Sequence, residues 1–120
     1  MSEKKVLVID DEDFIRELVK DFLELDEVEC LGAETREAAL QLISEQNFNL
    51  ILLDRNLGNI KAEEFITQIR DILPKVPIVI LTGDPNCGEK YLEETGANGI
   101  VYKPFQVNEF MDSVNKFLEI

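Results

Sequence analysis

The sequence predicts an α/β fold, a doubly wound parallel sheet of five strands with helices on both faces, as one domain over residues 1–120. Three observations carry this. Short apolar runs alternate with longer stretches whose apolar residues recur at helical spacing, five of each along the chain. Three of the runs are apolar at every position, which suits strands buried on both faces. The length of 120 residues, with 45% hydrophobic, makes one domain of ordinary size with a real core.

The elements follow in order. Residues 6–9 (V-L-V-I) form the first run, and Phe14, Ile15, Leu18, Val19, Phe22 and Leu23 then mark one helix face. Residues 28–31 (V-E-C-L) carry a charge, as an edge strand does; Thr35 then caps a helix holding Ala38, Ala39, Leu42 and Ile43. Residues 50–53 (L-I-L-L) run straight into Asp54, and the next helix presents Ala62, Phe65, Ile66, Ile69, Ile72 and Leu73. After residues 78–81 (I-V-I-L), the helix over 86–95 is the weakest. Only Cys87, Tyr91 and Leu92 anchor it, and Gly88 costs about 1 kcal/mol relative to alanine, so it is expected to be the most mobile helix. The run at 99–102 is short and led by glycine, a second edge. The last helix carries Val107, Phe110, Met111, Val114, Phe117 and Leu118 and is expected to use the chain to Ile120. With the first, third and fourth runs central, the flavodoxin-like order 2-1-3-4-5 fits. The sequence shows no linker or low-complexity tract.

Charge narrows the function classes. Asp and Glu number 25 against 12 Lys and Arg, a formal net charge of -13. Such a surface repels phosphate backbones and anionic lipid, so neither direct nucleic-acid binding nor membrane binding is expected. No apolar run approaches the ~20 residues of a membrane span, and the first residues lack the apolar core and cleavage site of a signal peptide. Cys30 and Cys87 stand in unrelated contexts and there is no histidine, which leaves zinc almost nothing to bind and excludes phosphohistidine chemistry on this chain. A reducing, cytoplasmic location is expected.

Ligands of open α/β sheets bind at the carboxyl ends of the strands. The first run is followed by Asp10, Asp11, Glu12 and Asp13; the third by Asp54, Arg55 and Asn56; the fourth by Thr82, Gly83 and Asp84; the fifth by Lys103 and Pro104. Adjacent central strands bring Asp10, Asp11 and Asp54 into one pocket, where three carboxylates repel one another unless protons or a cation intervene. A hard divalent ion with oxygen ligands, Mg²⁺ above all, suits them. Lys103 and Thr82 flank the same pocket, and a lysine charge and a hydroxyl beside a metal and a carboxylate make a receptor for a phosphoryl group. A carboxylate there can itself be the nucleophile, giving an aspartyl phosphate. Taken singly, the residues have plainer readings: Asp10, Asp11 or Asp13 as a helix cap, Thr82 as a turn residue, Lys103 as a surface charge. Their joint placement at four strand ends favours the pocket.

With V-L-V-I-D-D-E at 6–12, L-I-L-L-D at 50–54, I-V-I-L-T-G at 78–83 and V-Y-K-P-F at 101–105, the chain resembles a response-regulator receiver domain of two-component signalling over essentially its whole length. The resemblance implies Asp54 as phosphoacceptor. It implies Mg²⁺ (with Mn²⁺ as a substitute) held by Asp10, Asp11, Asp54 and the backbone carbonyl of Asn56. It further implies Thr82 as a hydroxyl donor to the phosphoryl group, and Lys103 paired with a phosphoryl oxygen ahead of a cis bond to Pro104. The donor would be a phosphohistidine on a sensor histidine kinase or phosphotransfer protein. The receiver would catalyse its own phosphorylation and dephosphorylation without being a conventional enzyme. Its output would pass to a downstream protein or domain through the face built by the fourth helix, fifth strand and fifth helix.

Three positions depart from the family pattern. Ile100 stands where an aromatic residue often swings inward, and Tyr102 directly precedes Lys103 instead. Gly58 replaces a common proline, which predicts a pliant loop. Arg55 follows the acceptor, as a surface arginine or a help to phosphate.

Rival readings have specific weaknesses. Asp11-Glu12-Asp13 resembles the D-x-D of haloacid-dehalogenase phosphatases, with Asp11 as nucleophile, but the chain is short for that family and Asp54 would stand idle. A flavodoxin-type FMN site would meet repulsion from residues 10–13. A phosphorylation-independent docking module would not need the complete site. The residues fit a single-domain regulator, a piece of a larger regulator, or the receiver end of a hybrid kinase.

Overall fold

The computed structural model describes residues 4–58 and 61–118. Five strands, β1 (Lys5–Ile9), β2 (Glu29–Ala33), β3 (Leu50–Asp54), β4 (Ile78–Thr82) and β5 (Gly99–Tyr102), alternate with α1 (Asp13–Glu24), α2 (Arg36–Glu45), α3 (Ala62–Ile72), α4 (Glu89–Thr95) and α5 (Val107–Leu118). All strand pairs are parallel and the order is β2-β1-β3-β4-β5, as the sequence predicts. The expected reach of the last helix to Ile120 lies outside the described residues. Among the described residues no helix is long and apolar enough to cross a membrane.

Strand alternation sorts the core into two layers. Leu7, Ile9, Ile51, Leu53, Ile78 and Ile80 face α2, α3 and α4, where Ile43, Phe65, Ile66 and Ile69 meet them. Val6, Val8, Leu50, Leu52, Val79 and Leu81 face α1 and α5, against Val19, Leu23, Phe110 and Val114. Phe110 also stacks at a tilt on Phe22 and Phe105, with ring centroids 5.5 and 5.2 Å away. Each large side chain so buried is worth about 1.5–3 kcal/mol. β3 is buried at all five positions, Asp54 included, so its fully apolar run marks a strand with helices on both sides.

Several local expectations are refined. Thr35 caps α2 as expected, its Oγ1 accepting from the Ala38 N–H at 3.1 Å. α1 instead starts after Glu12, which makes no side-chain cap, with Asp13 as its first residue. Phe14, included in the apolar stripe, is 68% exposed, because Ile15, Val19 and Leu23 already form the buried line. β2 runs on through Gly32 and Ala33, pairing with Val8 and Ile9. The apolar run stopped short there because Gly32 has no side chain; a Cβ on it would come 3.1 Å from Arg16 Cδ.

Candidate functional site

The parallel register delivers the site. Ile9 pairs with Leu53, so Asp10 and Asp54 leave neighbouring strands side by side; Asp54 pairs with Leu81 and Thr82 with Tyr102, which brings Thr82 and Lys103 to the same edge. Backbone bonds carry the ladder past the strands: Asp10 N–H to the Ala33 carbonyl (3.1 Å), Arg55 N–H to Leu81 (3.0 Å) and Lys103 N–H to Thr82 (2.7 Å). The four loops are therefore fixed where their side chains must meet. The Lys103-Pro104 bond is cis.

Asp10 is 0% exposed, Asp54 6% and Thr82 2%, a polar cluster buried in an apolar sheet. Lys103 Nζ lies 3.1 Å from Asp10 Oδ2 and 3.4 Å from Asp54 Oδ1, bridging the two carboxylates. Asp10 Oδ1 also accepts from the Glu12 N–H (2.9 Å), and Arg16 donates to the Asp10 carbonyl (2.5 Å). Asp10 thus does turn-forming work and faces the pocket at once. Asp54 Oδ1 accepts from the Asn56 N–H at 3.3 Å. Thr82 Oγ1 accepts from the Asp84 N–H at 3.1 Å, a bond that leaves the hydroxyl proton to donate.

One ammonium does not neutralise this set. Burial first, and the neighbouring charge of Asp10 second, push the Asp54 carboxyl above its ordinary value; Lys103 and the Asn56 N–H only partly offset them. Burial works to lower the Lys103 pKa, but Asp10 and Asp54 outweigh it and the ammonium titrates above the ordinary lysine value.

Carboxylate oxygens of Asp10, Asp11 and Glu12 lie within 4.8 Å of one another. This donor set is all hard oxygen, as Mg²⁺ requires. Glu12 lies beside Asp10 and Asp11 in this group, and Lys103 bridges Asp54 to Asp10. Asn56 stands beside Asp54 through its N–H.

Arg55 is neither a free surface arginine nor a partner of Asp54. Its Nη1 donates to Asp84 Oδ2 at 2.8 Å and its guanidinium carbon lies 4.8 Å from the Tyr91 ring centroid. The sequence reading named Asp84 only as a residue after β4, and nothing in the spacing signalled this pair. Ile100 packs half-buried against the α2–α4 layer. Tyr102, 45% exposed, donates its hydroxyl to the Cys87 carbonyl just before α4. Gly58 has φ 62°, a left-handed conformation that favours glycine, with open space where a Cβ would stand.

Comparison with known proteins gives one answer. The family model for the response regulator receiver domain matches residues 6–115. The transcriptional regulatory protein SrrA of Staphylococcus aureus is 33% identical over 117 residues, covering 95% of this chain and 47% of SrrA. The chain thus spans about half the length of the curated relatives it matches. Among solved structures, the chemotaxis protein CheY4 of Vibrio cholerae superposes with a TM-score of 0.88 at 26% identity, covering 97% of this chain and 99% of that one. The response regulator TrrA of Thermotoga maritima, in complex with Mg²⁺-BeF, superposes with a TM-score of 0.83 at 32% identity, covering 95% and 98%.

Proposed function

This chain belongs to the response regulator receiver domain family, and on that premise we propose that it is a phosphorylation-dependent signalling switch whose acceptor is Asp54. The observation that carries the reading is the Lys103 ammonium lying between the buried carboxylates of Asp10 and Asp54 at adjacent strand ends. A buried carboxylate beside a fixed cation is costly for stability and well suited to attack on phosphorus.

An Asp54 oxygen attacks the phosphorus of a phosphohistidine on a partner kinase. The P–O bond forms as the P–N bond breaks, and its electron pair stays on the departing imidazole. Lys103 neutralises charge on the phosphoryl oxygens, and Thr82 donates its hydroxyl to one of them. In dephosphorylation, water attacks the phosphorus, the P–O bond to Asp54 breaks with its electron pair on the carboxylate, and inorganic phosphate leaves. Asp10, Asp11 and Asp54, with the Asn56 carbonyl, would hold Mg²⁺, which when bound supplies positive charge to the phosphoryl group in transfer. The structure of TrrA in complex with Mg²⁺-BeF is consonant with this reading.

Family membership implies a kinase input and an output partner. We assign the donor role to a sensor histidine kinase or phosphotransfer protein, the output to a downstream protein or domain, and the location to the cytoplasm. The test uses acetyl phosphate with Mg²⁺ and a phosphate-affinity gel. The wild type is expected to shift, and both chelation and Asp54→Asn are expected to abolish the shift. An Asp54→Asn protein labelled as strongly as wild type sinks the assignment.

A further inference from the structure

Asp84 joins three parts of the molecule. Its N–H donates to Thr82 Oγ1 (3.1 Å), its Oδ1 accepts from the Asn86 N–H (2.9 Å), and its carbonyl accepts from the Cys87 N–H (3.2 Å). Its other oxygen, Oδ2, holds Arg55 at 2.8 Å. One residue therefore ties the Thr82 hydroxyl, the segment leading into α4, and the guanidinium that directly follows Asp54. From there Arg55 reaches α4 itself, lying over the face of Tyr91 at 4.8 Å.

α4 is built to be moved. It has seven residues, of which Thr95 is the one that is buried. The Tyr91 hydroxyl is buried, and Arg55 is the side chain that approaches it, without a hydrogen bond of ordinary geometry. Arg55 and Asp84 thus supply polar contacts to α4 and to the segment before it.

We propose that Arg55, Asp84 and Tyr91 form a charge-operated latch that couples phosphorylation of Asp54 to the position of α4. The latch rests on the function assigned above. A phosphoryl group on Asp54 brings roughly two negative charges to the residue next to Arg55. The guanidinium then has a second and stronger anion within reach of its own backbone, and it leaves Asp84. The Tyr91 ring loses its cation, and α4 repacks with the hydroxyl reaching water. Arg55 and Asp84 are positioning residues here: they act through α4, not on the phosphorus.

The test follows backbone amides by NMR in the whole chain, with Mg²⁺ and beryllofluoride as the probe. In the wild type, resonances near Asp10, Asp54 and Thr82 shift together with those of Glu89–Thr95. In Arg55→Ala the pocket shifts remain, which also shows that the variant folds and loads. Its unloaded α4 resonances already lie part of the way to their loaded positions, and the ratio of the displacement constants with and without beryllofluoride falls about fivefold or more, the lower range of typical coupling. Asp84→Asn, without beryllofluoride, moves the α4 resonances part of the way to their loaded positions. An Arg55→Ala protein whose α4 moves as fully as wild type overturns the latch, as does an Asp84→Asn protein whose α4 stays at its unloaded positions. Pocket shifts missing from the wild type overturn the functional reading and the latch with it, so the two failures are distinguishable.

Discussion

Asp54 keeps a charge where a charge is costly. It is 6% exposed, and burial together with Asp10 raises its pKa. The folded chain therefore holds a proton there at pH values where the unfolded chain has released it. Stability falls as pH rises through the window between the ordinary carboxylate value and the raised one; above that window the ionised group works against the fold. Asp54→Asn removes this cost while Lys103 keeps Asp10 as a partner. In chelator at neutral pH the variant is expected to gain on the order of 1 kcal/mol, the scale of single substitutions, and to lose the wild type's decline across that window. Urea midpoints across pH check it, and a variant less stable than wild type would count against the electrostatic account. The convergence of Asp10, Asp54, Thr82 and Lys103 was legible in the sequence because each closes an apolar run, Asp54 and Thr82 as the last residue of a strand and Asp10 and Lys103 just after one, and parallel strands end together. The Arg55–Asp84–Tyr91 contact was not: it depends on which way a long side chain turns and on where α4 begins, neither of which periodicity encodes. The approach of Glu12 to Asp10 was likewise not legible, since a tight turn rather than a strand end brings them together.

Among the elements, α4 differs most from its sequence outline. The apolar spacing suggested a helix over 86–95, but the helix occupies only Glu89–Thr95. Asp84 explains the loss: its side chain and carbonyl take the N–H groups of Asn86 and Cys87, holding that segment as a turn. β2 erred the other way, since a parallel ladder continues as far as its neighbour does, whatever side chain Gly32 lacks. The strands of the centre were the most legible elements, because burial on both faces leaves a continuous apolar run. α4, with one buried residue, is expected to exchange its amide hydrogens about tenfold or more faster than α1, α3 and α5, which bury three or more each. Native-state exchange measures this directly, and protection in α4 equal to that in α3 would remove the premise that it moves easily.

The whole molecule carries a formal net charge of -13, so self-repulsion opposes compaction at neutral pH. Screening should relieve it: moderate added NaCl is expected to raise the melting temperature by on the order of 3 °C. Calorimetry across a salt series checks this, and a falling melting temperature would mean that ion pairs such as Arg55–Asp84 outweigh the repulsion. The same acidity sets the terms of the site, because a molecule short of cations has placed Lys103 between the buried carboxylates of Asp10 and Asp54. That placement makes sense if a phosphoryl group is to arrive between them. The most direct measurement is to phosphorylate the wild-type chain with acetyl phosphate and Mg²⁺, trap the acyl phosphate by borohydride reduction, and locate the reduced residue by peptide mass spectrometry. The reduced residue is predicted at Asp54 alone; reduction at Asp11 or Asp10, with Asp54 unchanged, would contradict the account.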